Sequence, residues 1–304
     1  MATQIDVLTS REVPLGGPRA MRVRRTLPQR HRSLIGAWCF VDHYGPDEVE
    51  QTGGMVVAPH PHTGLQTVSW LFEGEIEHRD SAGNHATVRP GELNLMTSGH
   101  GISHTEVSTP GTTVLHGAQL WVALPDATRD ADPAFHHYAP APVRGPGWEV
   151  RVFLGEVLGS RSPVPTHTPL LGAELMLAPG RTVEIEVDET FEHGVLLDVG
   201  MIEVEGTELK PGDLAYVPAG GTTLTVTAHE EARLLLIGGP PFGEAIVMWW
   251  NFIGRTHDEV AGHRRAWMEQ VEGGMSDGRF GLVDIDMKPI PAPTLPNVRL
   301  KERR

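Results

Sequence analysis

Glycine and proline recur so often along this chain, 35 and 25 times in 304 residues, that few segments are long enough to be a helix. Proline lacks an amide hydrogen and glycine loses more backbone entropy on folding than any other residue, so both are driven into turns. The runs left between them are short and apolar, as in Thr67–Phe72, Val150–Leu154 and Leu234–Ile237. Such runs, separated by turn signals, read as an all-β sandwich or barrel. One corner is written twice: Pro90-Gly-Glu-Leu-Asn-Leu-Met-Thr-Ser-Gly99 aligns with Pro211-Gly-Asp-Leu-Ala-Tyr-Val-Pro-Ala-Gly220. A turn and strand used twice imply two related barrels. Between the copies, Ala139–Gly147 is too rich in Pro and Gly for regular structure, and it is taken as the linker between a domain of residues 1–140 and one of residues 141–304.

Composition narrows the function classes. A hydrophobic content of 39% with 21% charged residues is that of an ordinary soluble globular protein. A net charge of −14 repels phosphate backbones, so nucleic-acid binding is not expected. No apolar run approaches the roughly 20 residues that cross a bilayer. Cys39 is the single cysteine and has no partner for an intramolecular disulfide; with no basic start followed by an apolar run, a reducing cytoplasm is the expected compartment. Its apolar neighbours in Gly36–Val41 make Cys39 a buried small hydrophobe, not a nucleophile. Trp249-Trp250 reads as packing of the C-terminal segment.

Two histidine-bearing pairs carry the chemistry. His60-Pro-His62 leads into the strand Thr67–Phe72, and His104-Thr-Glu106 follows the strand after the Pro90-Gly91 turn. In extended chain, residues i and i+2 point to one side, so each pair can present both side chains to a barrel interior. Among 16 histidines one His-x-His pair is unremarkable; two ordered pairs are a stronger pattern. Three imidazole nitrogens and one carboxylate from His60, His62, His104 and Glu106 suit Fe(II), Mn(II), Ni(II), Cu(II) or Zn(II), not the hard cations that take oxygen alone.

Pro59-His-Pro-His-Thr-Gly64, Met96-Thr-Ser-Gly-His-Gly-Ile-Ser-His-Thr-Glu106, Gln119-Leu-Trp-Val122 and the upstream Phe40-Val-Asp-His-Tyr-Gly-Pro46 resemble the pirin family of bicupins. The resemblance covers residues 10 to 125 well. It extends into the C-terminal half through the repeated turn and Gly238-Gly-Pro-Pro-Phe-Gly-Glu244. It implies two cupin barrels (double-stranded β-helix or jelly-roll) with a C-terminal helix, and iron or a related metal on the same four residues. It further implies a dioxygenase of the quercetin 2,3-dioxygenase type, acting with O2 on a flavonol or another enolisable aromatic. There Glu106 either stays on the metal or swings off to take the flavonol hydroxyl proton. The alternative is a regulatory protein that binds a protein partner according to the oxidation state of its iron. Two positions depart from the family pattern. Gln66 stands where the general cupin motif carries a glutamate, and His100 where pirins often have arginine; His100 is either near the site or an exposed turn residue.

In the C-terminal copy no histidine follows Pro218-Ala-Gly220 in ligand register, so that barrel is expected to be metal-free, with His193 and His229 isolated. Thr256 and Glu259 form a capping box that opens a helix, with Val260, Trp267 and Val271 on one face. Lys288–Pro296 is either a surface strap or disordered. Arg19, Arg22, Arg24, Arg25, Arg30 and Arg32, interleaved with Met21, Val23 and Leu27, read as an edge strand with a solvated charged face; they are also the natural contact for a protein partner.

Overall fold

The repeated Pro-Gly turns build the same corner twice. In the computed structural model, which describes residues 5–15, 21–274 and 278–304, Gly91 and Gly212 adopt φ of +71° and +89°. Glu92 N donates to Arg89 O and Asp213 N to Lys210 O, at 3.1 and 2.9 Å, closing turns with Pro second and Gly third, the type II pattern. Each glycine amide then ties the corner to a strand: Gly91 to Leu71 O in Leu65–Glu73, and Gly212 to Leu197 O in Glu192–Val199. Because a left-handed backbone costs an L-residue about 1–2 kcal/mol, Gly212→Ala is expected to lower unfolding free energy by about 1 kcal/mol in urea titration. An unchanged midpoint would mean that the turn relaxes without the positive φ.

The chain divides into two compact units, neither of which is one continuous stretch. One comprises Val13–Val23, Tyr44–His137 and Gly243–Arg304; the other comprises Met1–Glu12, Arg24–His43 and Tyr138–Phe242. The C-terminal helix and tail, which a cut at 140/141 groups with the C-terminal half, thus pack with Tyr44–His137.

In that first unit, Val56–His62, Ile102–Ser108, Ile76–Asp80 and His85–Val88 form a four-stranded sheet. A second sheet sets Ala134–Tyr138, Leu93–Thr97, Leu65–Glu73 and Val114–Ala123 side by side. Val57, Ile76 and Val88 from the first sheet meet Leu71 and Leu115 from the second in one apolar cluster, the two-layer packing of a jelly roll. In the other unit the order is Asp6–Leu8, Leu214–Val217, Glu192–Val199, Ala232–Gly239, Leu171–Leu177, Trp148–Leu154, Val143–Gly145. Its second sheet runs Thr182–Glu186, Thr223–Ala228, Ile202–Val204, Thr207–Leu209. Val183 and Ile185 point inward while Thr182, Glu184 and Glu186 face solvent, the period of two expected of a half-buried strand. Part of the stretch taken as irregular linker is a strand: Val143–Gly145 pairs antiparallel with Trp148–Leu154. These three residues lie between Pro142 and Pro146 and sit at the sheet edge, where neighbouring prolines leave no ladder bond unmade.

The helix His257–Glu272 starts as expected, with Thr256 Oγ1 accepting from Glu259 N at 3.1 Å. The reciprocal bond shifts by one residue, because Glu259 pairs with Arg129 and accepts from Arg255 N at 2.8 Å, not from Thr256. Val260 and Trp267 are buried, together with Ala261, His263 and Gln270; Val271 packs at the margin of the same cluster. The proline-rich tail is a strap: Ile290 N donates to Pro59 O at 2.8 Å and Trp267 Nε1 to Ile290 O at 2.9 Å. Trp249 and Trp250 pack against this cluster, and Cys39 is fully buried.

Candidate metal centre

Strand register brings the sequence pairs together. His60 lies opposite His104, and His62 opposite Ile102, in the antiparallel pairing of Val56–His62 with Ile102–Ser108. On the other side of Ile102–Ser108, Asp80 faces His104 and His78 faces Glu106. Directly opposed residues share a face, so His60, His62, His104, Glu106, His78 and Asp80 all project to one side of this sheet. The register slips between His104 and Glu106, which pairs with Val57. The extra residue falls at Ala58-Pro59, a bulge at a proline that has no amide to give.

His60, His62 and His104 form one group whose ligand atoms all lie within 4.8 Å of one another; His78, His104 and Glu106 form a second. His62 Nε2 and His104 Nε2 are 3.1 Å apart, and the His60 ring centroid is 4.3 Å from that of His104. His60 Nδ1 donates to Ala58 O at 2.9 Å, which leaves its Nε2 as the lone-pair nitrogen. Glu106 does not enter the three-histidine group. Its Oε1 accepts from Ser69 Oγ at 3.0 Å, and the same hydroxyl lies 3.0 Å from the Gln119 side chain. One hydroxyl carries one proton, so bonding to Glu106 requires Gln119 to offer Ser69 its amide hydrogens.

Burial sets the protonation of the cluster. It pushes His60 down to about 4, against the Ala58 carbonyl, which favours the charged form. His62 and His104 are held well below the ordinary imidazole value, first by burial and then by neighbouring imidazoles. Burial raises Glu106, opposed by His78 and by the Ser69 hydrogen bond. These are three neutral nitrogen donors beside a carboxyl whose charge the apolar surroundings resist.

His78 is a residue that the sequence pairs did not single out. Its Nδ1 lies 3.4 Å from His104 Nδ1, and its Nε2 lies 3.3 Å from Asp80 Oδ2. Asp80 is fixed in turn by Ala82 N and by the backbone and side-chain amides of Asn84. A chain Asp80, His78, His104 therefore stands behind the cluster and orients its third imidazole. The signal was present as His78-Arg-Asp80, a further i, i+2 pair.

Gln66 is buried and donates to Thr97 Oγ1 at 2.9 Å, outside both groups of ligand atoms. His100 is a half-buried turn residue, 3.7 Å from Asp132, and its carbonyl accepts from Arg279. Among the described residues, neither His193 nor His229 joins a group of three potential ligands. The arginine stretch differs from the expected edge strand. Met21–Leu27 is flanked in its sheet by Trp38–Glu48 and Arg11–Leu15. Arg25 makes a bidentate pair with buried Asp42 at 2.6 and 2.7 Å, and Arg32 stacks on Tyr216 at 3.2 Å. Alternation with apolar residues mimicked an edge because those cations are spent inside the protein. Arg19 lies outside the described residues.

Two jelly-roll barrels, one bearing a buried histidine cluster on paired i, i+2 motifs, define a bicupin with a candidate metal centre. Residues 20–122 match the pirin family model and residues 172–272 that of the pirin C-terminal cupin domain, and the chain belongs to the pirin family. It is 44% identical to a Pseudomonas aeruginosa protein named as a putative quercetin 2,3-dioxygenase, over 95% of this chain and 90% of that one. It is 36% identical to a pirin-like protein of Caulobacter vibrioides, over 92% and 96%. A crystal structure of quercetin 2,3-dioxygenase from Acinetobacter baumannii superposes with a TM-score of 0.90 at 39% identity, covering 98% of this chain and 97% of that one. No helix among the described residues is long and apolar enough to cross a membrane.

Proposed function

We propose that this pirin is a metal-dependent dioxygenase in which His60, His62, His104 and Glu106 hold one divalent ion, Fe(II) before Mn, Ni, Cu or Zn, and which opens a flavonol such as quercetin or another enolisable aromatic with O2. The observation that carries the reading is the 3.1 Å separation of His62 Nε2 and His104 Nε2. Nitrogen ligands about 2.0–2.1 Å from one metal, at right angles, are about 3 Å apart. Neutral imidazoles meet the need for deprotonated ligands without further cost, and the names of the relatives point to the same reaction.

When bound, such a metal supplies Lewis-acid polarisation of a substrate oxygen and one-electron chemistry with O2. The chain's own residues supply the rest. Glu106 accepts the enol or flavonol hydroxyl proton at a carboxylate oxygen, a role that suits a carboxyl raised by burial. Ser69 steadies Oε1, and His78 holds the plane of His104. Anaerobic reconstitution with Fe(II), elemental analysis, then O2 uptake with quercetin tests the proposal: about one ion per chain is required, and no uptake with any flavonol removes that substrate class.

Glu106→Gln is expected to lower turnover by about 10²–10⁴-fold, the usual worth of a general base, while metal content changes far less. A normal rate would remove Glu106 from proton transfer. Acidification gives a further test. Imidazoles already held neutral far below the ordinary value of about 6.5 resist protonation, so protons displace the metal only at lower pH, toward the value of about 4 for His60. Dialysis at stepped pH followed by elemental analysis should place half-release below pH ~6, under the free imidazole value; release centred on that value would contradict burial as the controlling influence.

A further inference from the structure

One cavity has no lining residue in common with the histidine cluster. It is entirely within the unit formed by Tyr138–Phe242 and its two N-terminal segments, has a volume of ≈ 430 Å³ and is lined by Val157, Leu170, Leu171, Phe191 and His193, among others. This size falls within the range of small-molecule sites. His193 is 2% exposed, and neither of its ring nitrogens takes a hydrogen bond among the described residues, with Nε2 fully buried. A buried imidazole without a partner stands out, because buried polar groups are nearly always satisfied.

Charge around the opening narrows the ligand. Arg161 lines the cavity but is paired with Glu156, Nε to Oε2 at 2.7 Å. Glu186 and Asp188, both exposed, also line it, and Thr190 donates hydrogen bonds to Asp188 that keep it ionised. The mouth is therefore net negative and disfavours anions. Burial lowers His193 to about 4, so at neutral pH its ring offers one donor and one acceptor and no charge. The apolar wall with Phe191, whose ring centroid is 6.2 Å from that of His193, suits an aromatic body.

We propose that the C-terminal barrel is a second ligand site, separate from the metal centre, that takes a small uncharged phenol whose hydroxyl bonds His193. The ring of such a ligand fills the apolar walls, and its single hydroxyl satisfies the imidazole that the fold leaves unpaired. The inference is independent of the dioxygenase reading, since it uses no residue of the metal centre.

Calorimetric titration of the full chain with 4-methylphenol tests it, with circular dichroism confirming the fold of each variant. Saturable binding is expected, weakened about tenfold or more in His193→Phe and in Val164→Trp, a half-buried lining position where an indole narrows the cavity without entering the core. Binding should persist in His62→Ala, and 4-hydroxybenzoate, an anion, should bind at least about tenfold more weakly. The proposal is overturned if 4-methylphenol fails to bind at millimolar concentration, if binding survives both cavity substitutions, if it disappears in His62→Ala, or if the anion binds as well as the neutral phenol.

Discussion

His62→Ala is expected to cut the metal content of the reconstituted protein from about one ion per chain to less than about a tenth of that, and turnover with it. Substituting a residue that only orients a ligand commonly costs 10–100-fold in metal affinity or activity; removing a ligand costs more. Here the loss is severe because His62 Nε2 lies 3.1 Å from His104 Nε2, the separation expected of two nitrogens on one metal. Thermal unfolding supplies a second readout. A ligand that binds only the folded state stabilises it by RT ln(1 + [L]/Kd); added Fe(II) under anaerobic conditions should raise the melting temperature of the unaltered chain and leave the variant unmoved. Equal metal in the two proteins would place the ion with another ligand group, His78, His104 and Glu106 or His43, His116 and Asp198. His78→Ala separates those cases, since on the proposed assignment it weakens binding by about 10–100-fold without abolishing it.

The fold was legible because its evidence is local. Pro90-Gly91 and Pro211-Gly212 need only a type II turn and a following apolar strand to announce a repeated corner, and both turns carry the hydrogen bonds that the pattern demands. His60, His62 and His104 were legible for the same reason: a period of two decides which way they point, and register then places His60 opposite His104 with His62 on the same face. Features fixed by distant partners were not. His78 gains its meaning only when Ile76–Asp80 lies beside Ile102–Ser108. The displacement of Glu106 from the three-histidine group follows a bulge at Ala58-Pro59 that no count of residues along Ile102–Ser108 reveals. Arg25 and Arg32 looked solvated because Asp42 and Tyr216, which engage them, lie elsewhere in the sequence, whereas Arg30 is exposed. His193 looked like an isolated histidine, and what distinguishes it is the cavity around it and not its neighbours in the chain.

Trp267→Ala carries the largest expected cost in stability, about 3–5 kcal/mol for removing a fully buried aromatic side chain. The indole is 0% exposed and meets Phe280 edge-on at a centroid distance of 5.4 Å. Its Nε1 donates to Ile290 O, so truncation opens a void and leaves a strap carbonyl without its partner. The consequence reaches the candidate site by a short route. Ile290 N bonds Pro59 O, and Pro59 adjoins His60, so loosening the strap loosens the strand that carries the first histidine pair. Since a two-unit protein need not unfold in one step, calorimetry should show the shift in the transition of the unit containing Tyr44–His137, accompanied by faster tryptic cleavage after Arg279, which precedes the buried Phe280, and weaker metal retention. Trp267→Phe keeps most of the apolar volume and loses the hydrogen bond, and should cost about 1–2 kcal/mol. A loss below about 1 kcal/mol in the alanine variant would show that Phe280 and the backbone bonds of the strap hold the C-terminal segment without the indole, and would remove the link from helix to metal centre.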